Sequence, residues 1–265
     1  MKTLITLITI FSTSIYAASP GLDNISQTDL DNISKEFSAN FVHRPIAPAS
    51  PLGDIFGFEV GITAGITDAP EIAAIAKRED PSQSDPFDKI AHAGLLGSVS
   101  VPFGITGEMI LFPERELGDV TLSNYSLGLK WTFSKTFGIP LVDLALRGHF
   151  SSSQVSYSDT IDSVNTNVKV DNSTYGATLL ASMNFLIVEP FVGIGMVTRD
   201  TELSANGNVT IFDTNFSTST SASVDDTSTQ FLVGAQLNLA LINIAAQYEN
   251  VFGTNVTSLK FSVGF

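Results

Sequence analysis

From Ile55 onward, large apolar residues alternate with small or polar ones. Phe56, Phe58, Val60, Ile62 and Ala64 interleave with Gly57, Glu59, Gly61, Thr63 and Gly65. Further along, Tyr125, Leu127, Leu129, Trp131 and Phe133 interleave with Ser126, Gly128, Lys130 and Thr132. The same pattern sets Tyr175, Ala177, Leu179, Ala181 and Met183 against Thr174, Gly176, Thr178, Leu180 and Ser182, and it returns from Phe231 to Leu239. A side-chain period of two belongs to an extended strand whose faces meet different surroundings. The alternation predicts ten strands near 55–66, 92–102, 104–113, 121–133, 140–156, 170–184, 186–200, 228–240, 242–251 and 254–265.

A soluble β-sandwich also alternates, so the connections decide between architectures. Tight turns follow the second, fourth, sixth and eighth predicted strands, whereas the first, third, fifth and seventh lead into longer polar stretches such as 68–90 and 201–227. Short turns at one end and long loops at the other, with an even strand number, predict an antiparallel up-and-down transmembrane β-barrel. The expected fold is all-β with about ten strands. Eight or twelve remain open, because the third strand is short and 201–227 has room for another hairpin. The apolar window 177–197 does not read as a membrane helix: Asn184, Glu189-Pro190, Gly193 and Gly195 would break one, so two strands and a turn are expected there.

The N-terminal part reads differently. Residues 1–17 form a signal peptide, with Lys2 as its positive region, an apolar stretch from Leu4 to Ser14 and a small-residue exit at Tyr16-Ala17-Ala18. Residues 18–53 are expected as a periplasmic segment before the barrel at 54–265. In that segment Thr28 can cap a short amphipathic helix with Leu30, Ile33, Phe37 and Phe41 on one face, and the run Pro45 to Pro51 ends it. Packing beneath the barrel mouth is the favoured placement of this helix; a plug is the alternative.

Composition narrows the function. The chain has no cysteine, so disulfides, thiolate metal sites and N-terminal lipidation on cysteine are excluded. A formal net charge of −14 disfavours nucleic acid as a partner. Positive mean hydropathy with few charges suits a wall that faces lipid on one side and water on the other. Tyr125, Tyr157, Tyr175 and Tyr248 fall at the long-loop ends of the predicted strands. Phe58, Phe103, Trp131, Phe133, Phe185 and Phe265 fall near the short turns. Rings at two levels predict two interfacial girdles.

The last strand, with Leu259, Phe261, Val263 and the terminal Phe265, resembles the C-terminal assembly signal of bacterial outer-membrane β-barrel proteins. That resemblance implies placement in the outer membrane of a Gram-negative bacterium. It also implies contact with outer-membrane lipids and lipopolysaccharide, and recognition of the final strand by the barrel-assembly machinery. It names no family within the class and leaves the oligomeric state open.

If the apolar set faces lipid, the opposite set lines the lumen: Glu59, Glu108, Asp143, Glu189 and Glu249 with Lys130, Arg147, Arg199 and Lys260. Such residues form either a charged constriction or a salt-bridged interior. His149 and Ser151 share the His-x-Ser spacing of outer-membrane lipid hydrolases, but the following Ser152 departs from their motif and the pair points to the lumen. Asp85 and Asp88 near His92 approximate an outer-membrane protease site without matching its spacing. No cofactor and no metal site are expected. The expectation is a non-enzymatic barrel that passes or binds small solutes through a narrow lumen. The alternatives are a closed barrel acting through its outer loops and, more remotely, a lipid-modifying hydrolase.

Overall fold

The structure is a computed structural model that describes residues 27–265 apart from 54, 80–87, 118–119, 162–163 and 212–213. The predicted signal peptide and Asp85 lie outside the described residues. The strands are β1 (Gly57–Asp68), β2 (Lys89–Val101), β3 (Ile105–Leu117), β4 (Val120–Trp131), β5 (Asp143–Ile161), β6 (Val164–Ser182), β7 (Val188–Ile211), β8 (Thr214–Leu239), β9 (Ile242–Val251) and β10 (Thr254–Gly264). Each pairs antiparallel with its sequence neighbours, and β1 pairs with β10 through a register that includes Ile62 with Phe261, closing the barrel. No β-strand is left as an edge within the barrel wall, which removes the unpaired backbone groups a sheet edge would present.

Burial follows the alternation. Along β10, Leu259, Phe261 and Val263 are exposed while Ser258, Lys260 and Ser262 are buried. Outward positions are apolar, and they are exposed because nothing in the protein covers them. Many inward positions are Ser, Thr or Gly, which leave space at the barrel axis among larger charged side chains. The window 177–197 forms the end of β6, a turn and the start of β7, as expected. No described helix is long and apolar enough to cross a membrane.

Three local readings are corrected. The stretch 201–227, expected as a long polar connection with room for another hairpin, is a continuation of β7 and β8 as one ladder from Thr201↔Val224 to Ile211↔Thr214. The connection after β1 contains a helix, α2 (Pro70–Glu79), which the Ala- and Ile-bearing sequence favours but which alternation reading missed. Phe133 does not end a strand. It begins a single helical turn, α3 (Phe133–Phe137), after β4 stops at Trp131, and its ring lies 6.0 Å from the Trp131 ring, edge-on.

The largest correction concerns the helix of the N-terminal segment, α1 (Gln27–Phe41). It does not pack beneath the short-turn mouth. It lies inside the barrel toward the long-loop end, and residues 42–52 run from it down the axis to the base of β1. The physical reason is a match of polarity. The side chains that α1 buries are Asp29, Ser34, Glu36, Ser38 and Asn40 with Ala39 and Phe41, while Ile33 and Phe37 of the predicted apolar stripe are only half-buried. A polar wall selects the polar face.

Candidate functional site

The geometry of the lumen is set by adjacent residues that reach opposite walls. In a closed ring of ten strands, β4 and β9 face each other across the axis. The imidazole of His43 lies 2.8 Å from Ser126 Oγ on β4 and 3.4 Å from Glu108 Oε2 on β3. The next residue, Arg44, donates from Nε to Glu249 Oε2 on β9 at 2.6 Å. One turn higher, Ser38 donates to Asn172 Oδ1 on β6 at 2.6 Å and lies 3.3 Å from Thr201 Oγ1 on β7. Asn40 turns the other way and accepts from Thr67 on β1 at 2.7 Å, with His92 Nδ1 on β2 at 3.0 Å. A chain bonded in both directions at successive heights sits on the axis.

Below Arg44 the segment is an extended strap that contains Pro45, Pro48 and Pro51, residues that favour extended backbone without ladder bonding. The wall donates to its carbonyls. Lys130 Nζ bonds Pro48 O at 2.7 Å and Ser50 O at 2.8 Å, Thr132 bonds Ala49 O at 2.6 Å, and Arg147 Nη2 reaches Ala47 O at 3.4 Å. The strap's own N–H groups of Ala49 and Leu52 donate to Ser182 and Ser100. Ile46 and Ala49 join Ala145, Leu180, Phe191, Leu232 and Ala245 in an apolar cluster inside the barrel.

The predicted lumen residues can now be placed. Glu59, Glu108, Lys130, Arg147, Glu189, Arg199, Glu249 and Lys260 are buried inside the wall, and Asp143 is partly covered at the short-turn end, bonded to Ser134 and 3.4 Å from Lys135. Lys260 pairs with Glu59 at 2.8 Å and also bonds Gln236; Ser262 donates to the same Glu59 oxygen. Arg147 pairs with Glu108 at 2.8 Å. Glu189 accepts from Ser182. Arg199 bonds Asp31 at 2.5 Å and Ser34, both on α1, and its guanidinium lies over the Phe252 ring. Stranding any of these charges would cost several kcal/mol, about 3–5 by the usual measure for a broken buried pair.

Sequence reasoning missed Arg44 and His43. A signal existed: five wall carboxylates face four wall cations in the predicted lumen set, and one further cation is needed to balance them. Glycine marks the approach as well, since a Cβ at Gly128 would collide with the His43 ring, and one at Gly176 would crowd His149.

At the long-loop end α1 is tied to α2. Glu36 accepts from the first N–H groups of α2, Glu71 at 2.8 Å and Ile72 at 2.9 Å, which satisfies donors the helix leaves free. Burial pushes the Glu36 carboxyl above its ordinary range, against the pull of those two donors. Arg78 forms a two-pronged bond with Asp29 at 2.9 Å.

The His149 and Ser151 pair is not brought together for hydrolysis. Ser151 Oγ lies 2.7 Å from Thr174 Oγ1, and neither His149 ring nitrogen has a hydrogen-bond partner among the described residues. The His149 ring instead stacks 6.1 Å from that of His43. No group of three or more His, Asp or Glu among the described residues is arranged to hold a metal ion.

Of the girdle residues, Tyr125, Tyr175 and Tyr248 are exposed on the outer wall toward the long loops. Phe58, Phe103, Trp131, Phe185 and Phe265 are exposed toward the short turns, with Phe133 half-covered. The Tyr157 side chain lies outside the described residues, although its backbone is part of β5.

Among solved structures the chain is similar to the translocator domain of the autotransporter NalP from Neisseria meningitidis, at 10% identity and a TM-score of 0.45 over 80% of this chain and 88% of that one. It is similar to the outer membrane protease OmpT from Escherichia coli, at 10% identity and a TM-score of 0.42 over 80% and 95%. It is also similar to Ail, the attachment invasion locus protein of Yersinia pestis, at 12% identity and a TM-score of 0.34 over 79% and 97%. No curated protein matches the chain. The family described as "Family of unknown function (DUF6588)" matches residues 54–265, the whole barrel, and the chain belongs to that family.

Proposed function

We propose that the protein is an outer-membrane β-barrel whose lumen is a route for small polar solutes, shut by its own N-terminal segment and opened when that segment shifts. The observation that carries this reading is the division of labour in the lumen. Beside its buried charges the wall presents many small inward residues, such as Ser98, Ser126, Ser151, Thr174, Thr178 and Ser258, so it leaves part of its interior unfilled. The rest is filled by residues 27–52, which among the described residues are covalently joined to the wall only through the entry to β1. A permanently closed ten-stranded barrel could fill its axis with large wall side chains; here the filler is a separate piece of chain. Membrane placement is supported by the exposed apolar belt and the tyrosine level above it.

The test is single-channel conductance of the refolded protein lacking the signal peptide, with residues 27–52 present and deleted. Discrete conductance that rises on deletion supports the reading. Silence from both forms, with barrel folding confirmed by heat-modifiable migration on gels, overturns it. That silence would favour a closed barrel that works through its outer surface, a reading supported by the prolonged β7–β8 ladder.

A further inference from the structure

The two ends of the outer wall stop in different ways. Toward the long loops, the lipid-facing rows of β4, β6 and β9 turn polar just above their tyrosines: Tyr125 is followed upward by Ser123, Tyr175 by Ser173 and Tyr248 by Asn250. Toward the short turns there is no such change. The apolar row runs off the strand ends and into the turns, where Phe103, Leu141 and Leu186 are 77%, 87% and 94% exposed, with Phe137, Phe185 and Leu241 exposed beside them.

Backbone strain makes this arrangement harder to dismiss. Phe103, Leu141 and Leu186 sit at φ of 71°, 72° and 62°. The left-handed region costs a bulky residue about 1–2 kcal/mol, and turns there ordinarily use Gly, Asn or Asp. In water, a large apolar side chain at such a position gains nothing against that cost. In an apolar medium it gains its transfer free energy.

Dimensions point the same way. On β4 the lipid-facing row from Tyr125 to Trp131 spans six residues, which is about 20 Å along the strand. Tilted at roughly 40°, that row covers only about 15 Å of height and the row from Phe231 to Leu239 on β8 about 20 Å, whereas the row from Ala91 to Val101 on β2 reaches about 26 Å. The apolar band of such barrels is about 25 Å tall. Where the row is short, as on β4, the exposed apolar residues of the turn below it, such as Phe137, lengthen the apolar surface. Lys135, half-exposed and paired with Asp143, is a cation at this rim whose long stem can carry its ammonium to a headgroup phosphate.

We propose that the short-turn rim is a lipid-contact surface: the tips at Phe103, Leu141 and Leu186 are immersed in the acyl region of the near leaflet, and the barrel sits deeper than its strand ends indicate. This inference rests on the membrane placement above. Trp131 is the single tryptophan of the chain, so a Trp131→Phe background is spectroscopically silent. In that background Leu186→Trp and, on a different turn, Leu141→Trp report the tips; Ile194→Trp reports the middle of the belt and Asn250→Trp the polar side of the tyrosine level. Each is refolded into phosphatidylcholine vesicles with and without acyl-chain bromine. The tip tryptophans are expected to lose about half their emission in brominated lipid, close to the loss at Ile194→Trp, while Asn250→Trp changes little. If Ile194→Trp is quenched and both tips emit as in water, the proposal is overturned and membrane placement stands. If Ile194→Trp is also unquenched in folded protein, membrane placement itself fails, and this inference with it.

Discussion

The upper and lower halves of the N-terminal segment are held in different ways. The strap at 42–49 is buried throughout. Arg44 meets a buried carboxylate, wall cations reach the strap's carbonyls, and Ile46 enters an apolar cluster. The helix above it is held at its outer end by pairs that water reaches, such as Asp29–Arg78 and Asp31–Lys35. Exposed pairs are worth little, and buried ones are costly to break. The lesson is that the strap and the inner turns of the helix, where Arg199 holds Asp31 and Ser34, form the seal, and only the outer end of the helix is lightly held. Movement that opens the lumen should begin at the outer end of the helix and be limited by the strap and by Arg199.

The strongest way to break this contrast is Arg44→Ala. It leaves Glu249 buried with only the amides of Gln230 and Gln247. We expect a loss of about 3–5 kcal/mol of stability, read from the urea midpoint of unfolding in vesicles, together with frequent channel openings. Unchanged stability would place the seal elsewhere. Lys130→Met comes next: it keeps the stem but removes the donor to Pro48 O and Ser50 O. A loss of about 1–3 kcal/mol is expected, with faster proteolysis within the strap. Ser38→Ala should cost about 1 kcal/mol, seen as faster amide exchange in α1 with the barrel strands unaffected. Arg78→Ala, whose guanidinium is half in water but whose partner Asp29 is largely covered, should cost at most about 1 kcal/mol, an effect that added salt reduces.

How much of this was legible in the sequence follows from which signals are local. The wall was readable because every strand repeats the same two-sided environment, so Phe261 and Lys260 declare lipid and lumen from their positions alone. The prolonged β7–β8 hairpin was not. Leu203, Ala205, Val209 and Ile211 still alternate there with Glu202, Ser204, Asn206, Asn208 and Thr210, but Ser, Thr and Asn so dominate the stretch from Thr214 to Thr229 that its composition reads as a loop. The placement of α1 was misjudged for another reason. An apolar stripe is taken to mark the buried face, but a polar lumen inverts that rule, and Ser34, Ser38 and Asn40 make the contacts. The partner of Glu249 was out of reach because Arg44 lies 205 residues away in the chain, and only charge balance links the two.

The most direct measurement is a disulfide trap between the segment and the wall. The chain has no cysteine, so Ser38→Cys with Thr201→Cys, at positions whose hydroxyls lie 3.3 Å apart, creates one possible bridge. The account predicts rapid intramolecular cross-linking in the folded barrel, channel silence while the bridge is oxidised, and the return of openings on reduction. Failure of the pair to cross-link in a barrel that is demonstrably folded, or conductance that ignores the state of the bridge, would contradict the claim that residues 27–52 close the lumen.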